Sequence, residues 1–296
     1  MSTEITWRGH ALASALHAAE AFARNQQVQF ADSRLAATLR EQSLRLAAEI
    51  RAANLPPARF WANLIPLSAH VTVRRQLIET AITKTVGRGQ GFEIAVESLD
   101  TVVGGLESAM RSSLPNLNDE LDLRQRPLRE HWEARGAGML HRIGQLTEEA
   151  LIAPQCEVVL VHPALGGAGE AHLPYNSVRI EAMLANPIAE LPEIVRLAWL
   201  IAQLQIDLPV YSDAIHRDRL PHIARYAMLP PALIAAEAVE LVRFAPEAMP
   251  QAITAWRLAS PPGVDTATLI SEWWQTYQET RPPWRIALAA LDQLFG

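Results

Sequence analysis

Three side chains in the stretch from Cys156 to Ala182, CEVVLVHPALGGAGEAHLPYNSVRIEA, are of types that ligate metals or move protons: His162, Glu170 and His172. Arg179 follows on the same stretch. Two histidines and a carboxylate could hold a metal if a hairpin set them face to face. Zinc sites with that chemistry carry a dense signature on one element, such as HExxH, which occurs nowhere in this chain. Gly166-Gly167-Ala168-Gly169 follows a β-type run, the order in which a dinucleotide cradle begins. That cradle needs GxGxxG and then a helix whose N-terminus faces the phosphate. Here the spacing differs, and Pro174 and the run SVRI oppose a helix. No Gly-Lys-Ser/Thr completes a phosphate loop either, so neither a cofactor nor a metal is expected. The glycines are expected to relax a connection between two strands. Alternatively, they form a mobile rim over a binding cleft edged by Glu170, His172 and Arg179.

Other residues offer weaker chemistry. YSDAIHRDRLPHIARY gathers Asp213, His216, Asp218 and His222. Asp218 and His222 are four apart and would meet on a helix, where a carboxylate could tune a general base. Pro221 interrupts that helix, and an exposed turn laced with charge explains the same residues. Gly87-Arg88-Gly89-Gln90-Gly91, after Lys84 and before a helix, could turn backbone N–H groups onto an anion. A helix-to-helix connection needing positive φ would use the same glycines. There is no GxSxG, and Cys156 begins a strand, where a structural role suits it. Asp119, Glu120 and Asp122 fall in SSLPNLNDELD, a passage of turn formers read as a linker and a poor place to fix an acid and a base. Near the C-terminus, SEWWQTYQETRPPW concentrates Trp273, Trp274, Tyr277 and Trp284. Adjacent tryptophans on a helix point in different directions. One is therefore expected to be partly exposed as an interface anchor, unless a neighbouring helix covers both.

The elements that must position these groups are mostly helical. The 296 residues are 49% hydrophobic and 20% charged, ample for a globular core. A formal charge of −6 argues against a nucleic-acid partner. Lys84 is the only lysine among the 26 lysines and arginines. One cysteine excludes an internal disulfide, and no apolar run approaches the roughly 20 residues a membrane span needs. No membrane partner is expected, and the start of the chain reads as an amphipathic helix and not a leader. A soluble, cytoplasmic protein is expected.

HALASALHAAEAFAR and DSRLAATLREQSLRLAAEIRAANLPP show apolar residues at three- and four-residue spacing, with Asp32 or Ser33 to cap the second run and Pro56-Pro57 to stop it. A long helical pattern, LRQRPLREHWEARGAGMLHRIGQLTEEAL, is expected to weaken around Gly136 and Gly138, with Trp132 as its core anchor. CEVVLV and YNSVRIEAML read as strands. PPALIAAEAVELVRF and PEAMPQAITAWRL are among the helices of the C-terminal part. The predicted fold class is mainly α (α+β): a multi-helix protein with a small antiparallel β-hairpin or sheet around residues 156–183 and a buried central helix at 192–205. Residues 1–114 are expected to form an N-terminal helical region and 121–296 a helical region containing the β element, either as two regions or as one continuous domain.

That central helix, LPEIVRLAWLIAQLQ, is apolar around nearly its whole circumference, so it should be buried on every side. Arg196 lies within it. A buried arginine is costly alone, so Arg196 should meet a carboxylate or reach an opening. Glu181 and Glu193 are near in sequence, with Glu193 expected to face water at the helix start.

The order strand, hairpin, buried helix resembles the core of zincin-type metallopeptidases over about sixty residues. In that family the central helix carries both histidines and the glutamate. At the comparable place this chain has Trp199-Leu200-Ile201-Ala202-Gln203, so the resemblance implies a catalytically dead relative. Two functions follow as expectations. One is a non-catalytic binding protein that takes a protein partner or forms a homo-oligomer. The other is an enzyme, of which a hydrolase is one form, with its cleft under the Gly166–Gly169 loop.

Overall fold

The computed structural model describes residues 3–30, 32–243, 247–261 and 263–296, so the sequence runs through Phe244 and Pro246 reach outside the described residues. Helices dominate, around a four-stranded mixed sheet. Contacts divide the chain into two units. One comprises Met1–Thr6, Arg126–Val158 and Gly167–Gly296; the other comprises Trp7–Gln125 and Val159–Gly166.

The chain starts with a strand, β1 (Glu4–Gly9), where a helix was expected. Its residues EITWRG alternate exposed and half-buried, a period of two that places Ile5 and Trp7 on one side. Helix α1 (Ala11–Ala23) then runs with every residue from Ala13 to Ala21 buried. It is alanine-rich, and α2 (Ser33–Ala52), α3 (Pro57–Ser68) and α5 (Phe92–Ser113) all pack against it. A helix surface of methyl groups lets several neighbours approach at once. Asp32 caps α2 by accepting from Arg34 N at 2.8 Å, and Asn54, with φ of 52°, ends the turn after it. Between α4 (Arg74–Val86) and α5, Gly87 and Gly91 adopt φ of 81° and 78°. The glycines at 87–91 therefore serve a helix-to-helix turn.

The supposed linker is short. Helix α6 (Leu117–Leu146) begins three residues after α5 ends, so Asp119 and Glu120 occupy its first turn, where acids favour the helix dipole. It continues for 30 residues through Pro127, Gly136 and Gly138. Gly136 is there to seat Trp132: a β-carbon at 136 would lie 2.4 Å from the indole. The glycine makes room on the helix instead of breaking it.

Strands β2 (Gln155–Val161), β3 (Gly169–His172) and β4 (Ser177–Glu181) complete a sheet of order β1-β2-β4-β3. The hairpin is β3–β4, antiparallel, with Glu170 opposite Arg179 and His172 opposite Ser177. Its tip is Leu173–Tyr175 in a 3-10 turn closed by Asn176 at φ 46°. The glycine cluster, expected to join the two strands visible in the sequence, instead precedes a third strand.

Helix α7 (Glu193–Ala202) packs on β3 and β4, and all ten of its residues are buried. The chain ends with α8 (Pro209–Ser212), α9 (Leu220–Ala227), α10 (Leu229–Ala238), α11 (Ala248–Ala255), α12 (Thr266–Thr280) and α13 (Trp284–Leu294). Helix α10 covers α7, while α13 packs against α8, α9 and α12. Among the described residues, no helix is long and apolar enough to cross a membrane.

Candidate functional site

The sequence candidates in the β element separate into two groups and one outlier. Glu170 and Arg179 are cross-strand partners, with Arg179 Nη2 donating to Glu170 Oε2 at 2.9 Å. The other carboxylate oxygen accepts from Arg225 Nη2 of α9 at 2.6 Å. The Arg225 carbonyl accepts from Trp199 Nε1 of α7 at 2.9 Å. One carboxylate thus fastens β3, β4 and α9, while the backbone of Arg225 ties α9 to α7. Arg179 is buried and Glu170 keeps some solvent contact. His172 shares the Glu170 face of β3, since strand side chains alternate. It is buried opposite the buried Ser177.

His162 belongs to the other unit. Its backbone N–H donates to Ser14 Oγ at 2.9 Å, and its ring stacks on Phe30 with centroids 5.5 Å apart. Among the described residues, no three or more His, Cys, Asp or Glu groups are placed to hold a metal ion.

The second group lies at the start of α7. Arg196 is 2% exposed, and Nη2 stands 3.4 Å from Glu193 Oε1 and 3.4 Å from the Ala255 carbonyl. Glu193 does not face water; it is 6% exposed. Its backbone N–H is taken by Asn186 Oδ1 at 3.1 Å, which draws the helix start inward. Burial pushes the Glu193 carboxyl above its ordinary range, with Arg196 opposing the shift and Glu181 adding to it. Burial likewise works against the charge on Arg196, countered by Glu193 and Glu181. For both groups the loss of water outweighs their mutual attraction. At 3.4 Å the pair is ionic contact without hydrogen-bond geometry: both Glu193 oxygens, and Arg196 Nε and Nη1, have no hydrogen-bond partner among the described residues.

Gly167 rests directly on this pair. Its φ is 103°, and a β-carbon there would lie 2.7 Å from Pro187 Cγ and 3.1 Å from Arg196 Nη1. Its N–H donates to Glu181 Oε2 at 2.6 Å. Glu181 is itself 1% exposed at the end of β4. Glycine is required here on two counts, by conformation and by space.

At the place where the zincin resemblance would look for ligands, Trp199 packs on Trp256 with centroids 4.9 Å apart. Gln203 Nε2 donates to the Trp199 carbonyl. Residues of α7 there form core. The aromatic end is also internal: Trp273, Trp274 and Tyr277 are all buried around the fully buried Trp284. Trp273 Nε1 donates to the Ala287 carbonyl at 2.9 Å. Helices α10, α11 and α13 all pack on α12, and both tryptophan directions are covered.

His216 and Asp218 are exposed and 4.0 Å apart on the turn before α9. Arg219 of the same turn bonds Asp292 of α13 at 2.6 Å.

Open grooves border the helices. One, of about 710 Å³, is bordered by Glu190, Glu237, Glu240, Arg243 and Glu247. Another, of about 520 Å³, runs along α2 between Phe22, Val28, Ala36, Ala37 and Leu44, with Arg40 and Glu41 at its rim. Leu44 is 51% exposed there.

Sequence reasoning did not find Arg225, whose partner is 55 positions away. No protein-family model, curated protein or solved structure matches the chain.

Proposed function

We propose that this chain is a non-catalytic binding protein that seats an amphipathic helix of a protein partner in the groove along α2. The groove carries the reading. The inner face of α2 is spent on the core through Leu35, Leu39, Leu46 and Ile50. Its other side sets Ala36, Arg40 and Leu44 at four-residue spacing beside Phe22 and Val28. Small residues below and a large aliphatic side chain at the edge match the shape a partner helix needs, and the charged rim fits helix register. Against a hydrolytic cleft under the Gly166–Gly169 loop stands the state of Glu170. Each of its oxygens is already engaged by a guanidinium, which leaves neither turned to a substrate. A cytoplasmic location belongs to the same reading, in keeping with a lone cysteine whose thiol is buried.

The test places a photo-crosslinking residue at Leu44 and, as control, at the exposed Thr101 of α5, in cells of the source organism. A discrete adduct at 44 that is lost on adding Ala37→Arg, and is missing at 101, supports the reading. The same adducts at both positions, or adducts indifferent to Ala37→Arg, overturn it. Stoichiometric zinc or manganese in the purified protein favours the hydrolytic alternative.

A further inference from the structure

The Gly167 bend, Glu181, Glu193 and Arg196 form a closed cluster of four groups within one unit. Two carboxylates act on one guanidinium: Glu193 in contact at 3.4 Å, and Glu181 through the Gly167 bend that touches both, all three side chains at or below 6% exposed. Ordinary buried ion pairs are saturated with hydrogen bonds, because each unmade bond in a dry interior is costly. Here the two carboxylates differ. Glu181 holds the Gly167 N–H at 2.6 Å, whereas neither oxygen of Glu193 has a hydrogen-bond partner among the described residues. A carboxylate so placed is the member of the cluster that gains most from taking a proton.

We propose that Glu181, Glu193 and Arg196 are a proton-operated latch on the Gly167 bend. With Glu193 protonated, the guanidinium balances Glu181 alone and the bend stays down on it. With Glu193 ionised, two carboxylates share one guanidinium, Glu181 is drawn from the Gly167 N–H, and the bend lifts. The proton comes from and returns to solvent.

The charged surroundings are accounted for. Glu193 faces Arg196 on its own helix and Glu181 on β4. Arg196 also feels Arg257, just past α11. Of the other elements against α7, β3 carries Glu170, committed to Arg179 and Arg225, and His172, buried opposite Ser177 on the Glu170 face; α10 carries Glu237, which is exposed. Burial raising the Glu193 carboxyl agrees with the same direction.

Hydrogen exchange by NMR at the Gly167 amide reads the latch directly. The Val195 amide, bonded to the Pro192 carbonyl at 2.9 Å, serves as the reference. In the wild-type chain, Gly167 protection, corrected for intrinsic rate, should fall about 10-fold or more from pH 5 to pH 8 while Val195 holds steady. In Glu193→Gln that fall should shrink to within about 2-fold, and in Glu181→Gln protection at Gly167 should be low throughout. Gly167 protection that ignores pH in the wild type, or falls equally in Glu193→Gln, overturns the latch. The wild-type measurement stands alone should either variant fail to fold.

Discussion

Gly169 and Leu200 meet with no room for a methyl group: a β-carbon at 169 would lie 2.6 Å from Leu200 Cδ1 and 3.0 Å from the Arg179 carbonyl oxygen. This contact is where β3 seats on α7. Gly169 does not need an unusual φ, so its glycine answers to space alone. Gly169→Ala is expected to cost about 1–3 kcal/mol through overpacking. Leu200 is fully buried, so Leu200→Ala should cost about 2–5 kcal/mol, and Leu200→Asp should prevent soluble expression. The Gly169→Ala/Leu200→Ala pair should lose less than the sum of the singles, because each change relieves the other. Urea unfolding of the four proteins checks this; strict additivity refutes the contact.

The Glu170 clamp predicts an asymmetry. Glu170→Ala leaves the buried Arg179 without its carboxylate and should cost about 3–5 kcal/mol. Arg225→Ala removes a partly solvated guanidinium, while the backbone bond from Trp199 survives, so about 1 kcal/mol is expected. Equal losses in denaturant titration would show that Arg179 does not depend on Glu170.

Stability should respond to pH through Glu193. Its carboxyl is raised in the folded chain, so the folded state binds the proton more tightly than the unfolded one. The stabilisation is therefore complete below the ordinary carboxyl value of 4.5 and is lost as pH rises through the folded value. Glu193→Gln should raise Tm near neutral pH by roughly 2–4 °C, about 1 kcal/mol, and leave it unchanged at pH 4. Thermal melts at the two pH values decide it. A lower Tm for the variant at neutral pH would mean that ion-pair attraction outweighs burial.

The thiol of Cys156 should be silent. It is 5% exposed at the start of β2, and burial, with help from Glu157, pushes it up to about 12. A thiol-specific chromogenic reagent at pH 8 should react only at the rate of unfolding. Stoichiometric reaction within seconds in native buffer would contradict the burial.

How far the sequence could be read depended on whether a signal was local. Helix α7 announced itself, because Ile194 to Ala202 leaves no polar side for water to occupy. Strand β1 did not: six residues before an alanine-rich helix are outweighed by the longer pattern, although Ile5 and Trp7 alternate correctly. Strand β3, GEAH, has no β-branched residue; its pairing with β4 holds it. At the candidate site, Arg196 in an apolar helix demands a carboxylate, and Glu193 and Glu181 are the near ones in sequence. What failed was the placement of Glu193 in water, since an acid beside a helix-starting proline ordinarily caps an exposed end. Glu148 gave no sign at all. Its oxygens join Tyr211 at 3.0 Å and the backbone N–H of Trp284 at 2.7 Å, partners 63 and 136 positions away.

The division of the chain has a practical corollary. Each compact unit is assembled from stretches that the polypeptide visits more than once, and the crossings fall inside β1, α6 and β2 and between Gly166 and Gly167. No single scission therefore yields two complete bodies. A fragment starting at residue 121 forfeits the strand that opens the chain, and one stopping at residue 114 forfeits Val159 and Val161, which share a core cluster with Ala13 and Ala69. Biochemistry on this protein is best done with the whole polypeptide, and a nicked preparation should behave as a single species until it is denatured.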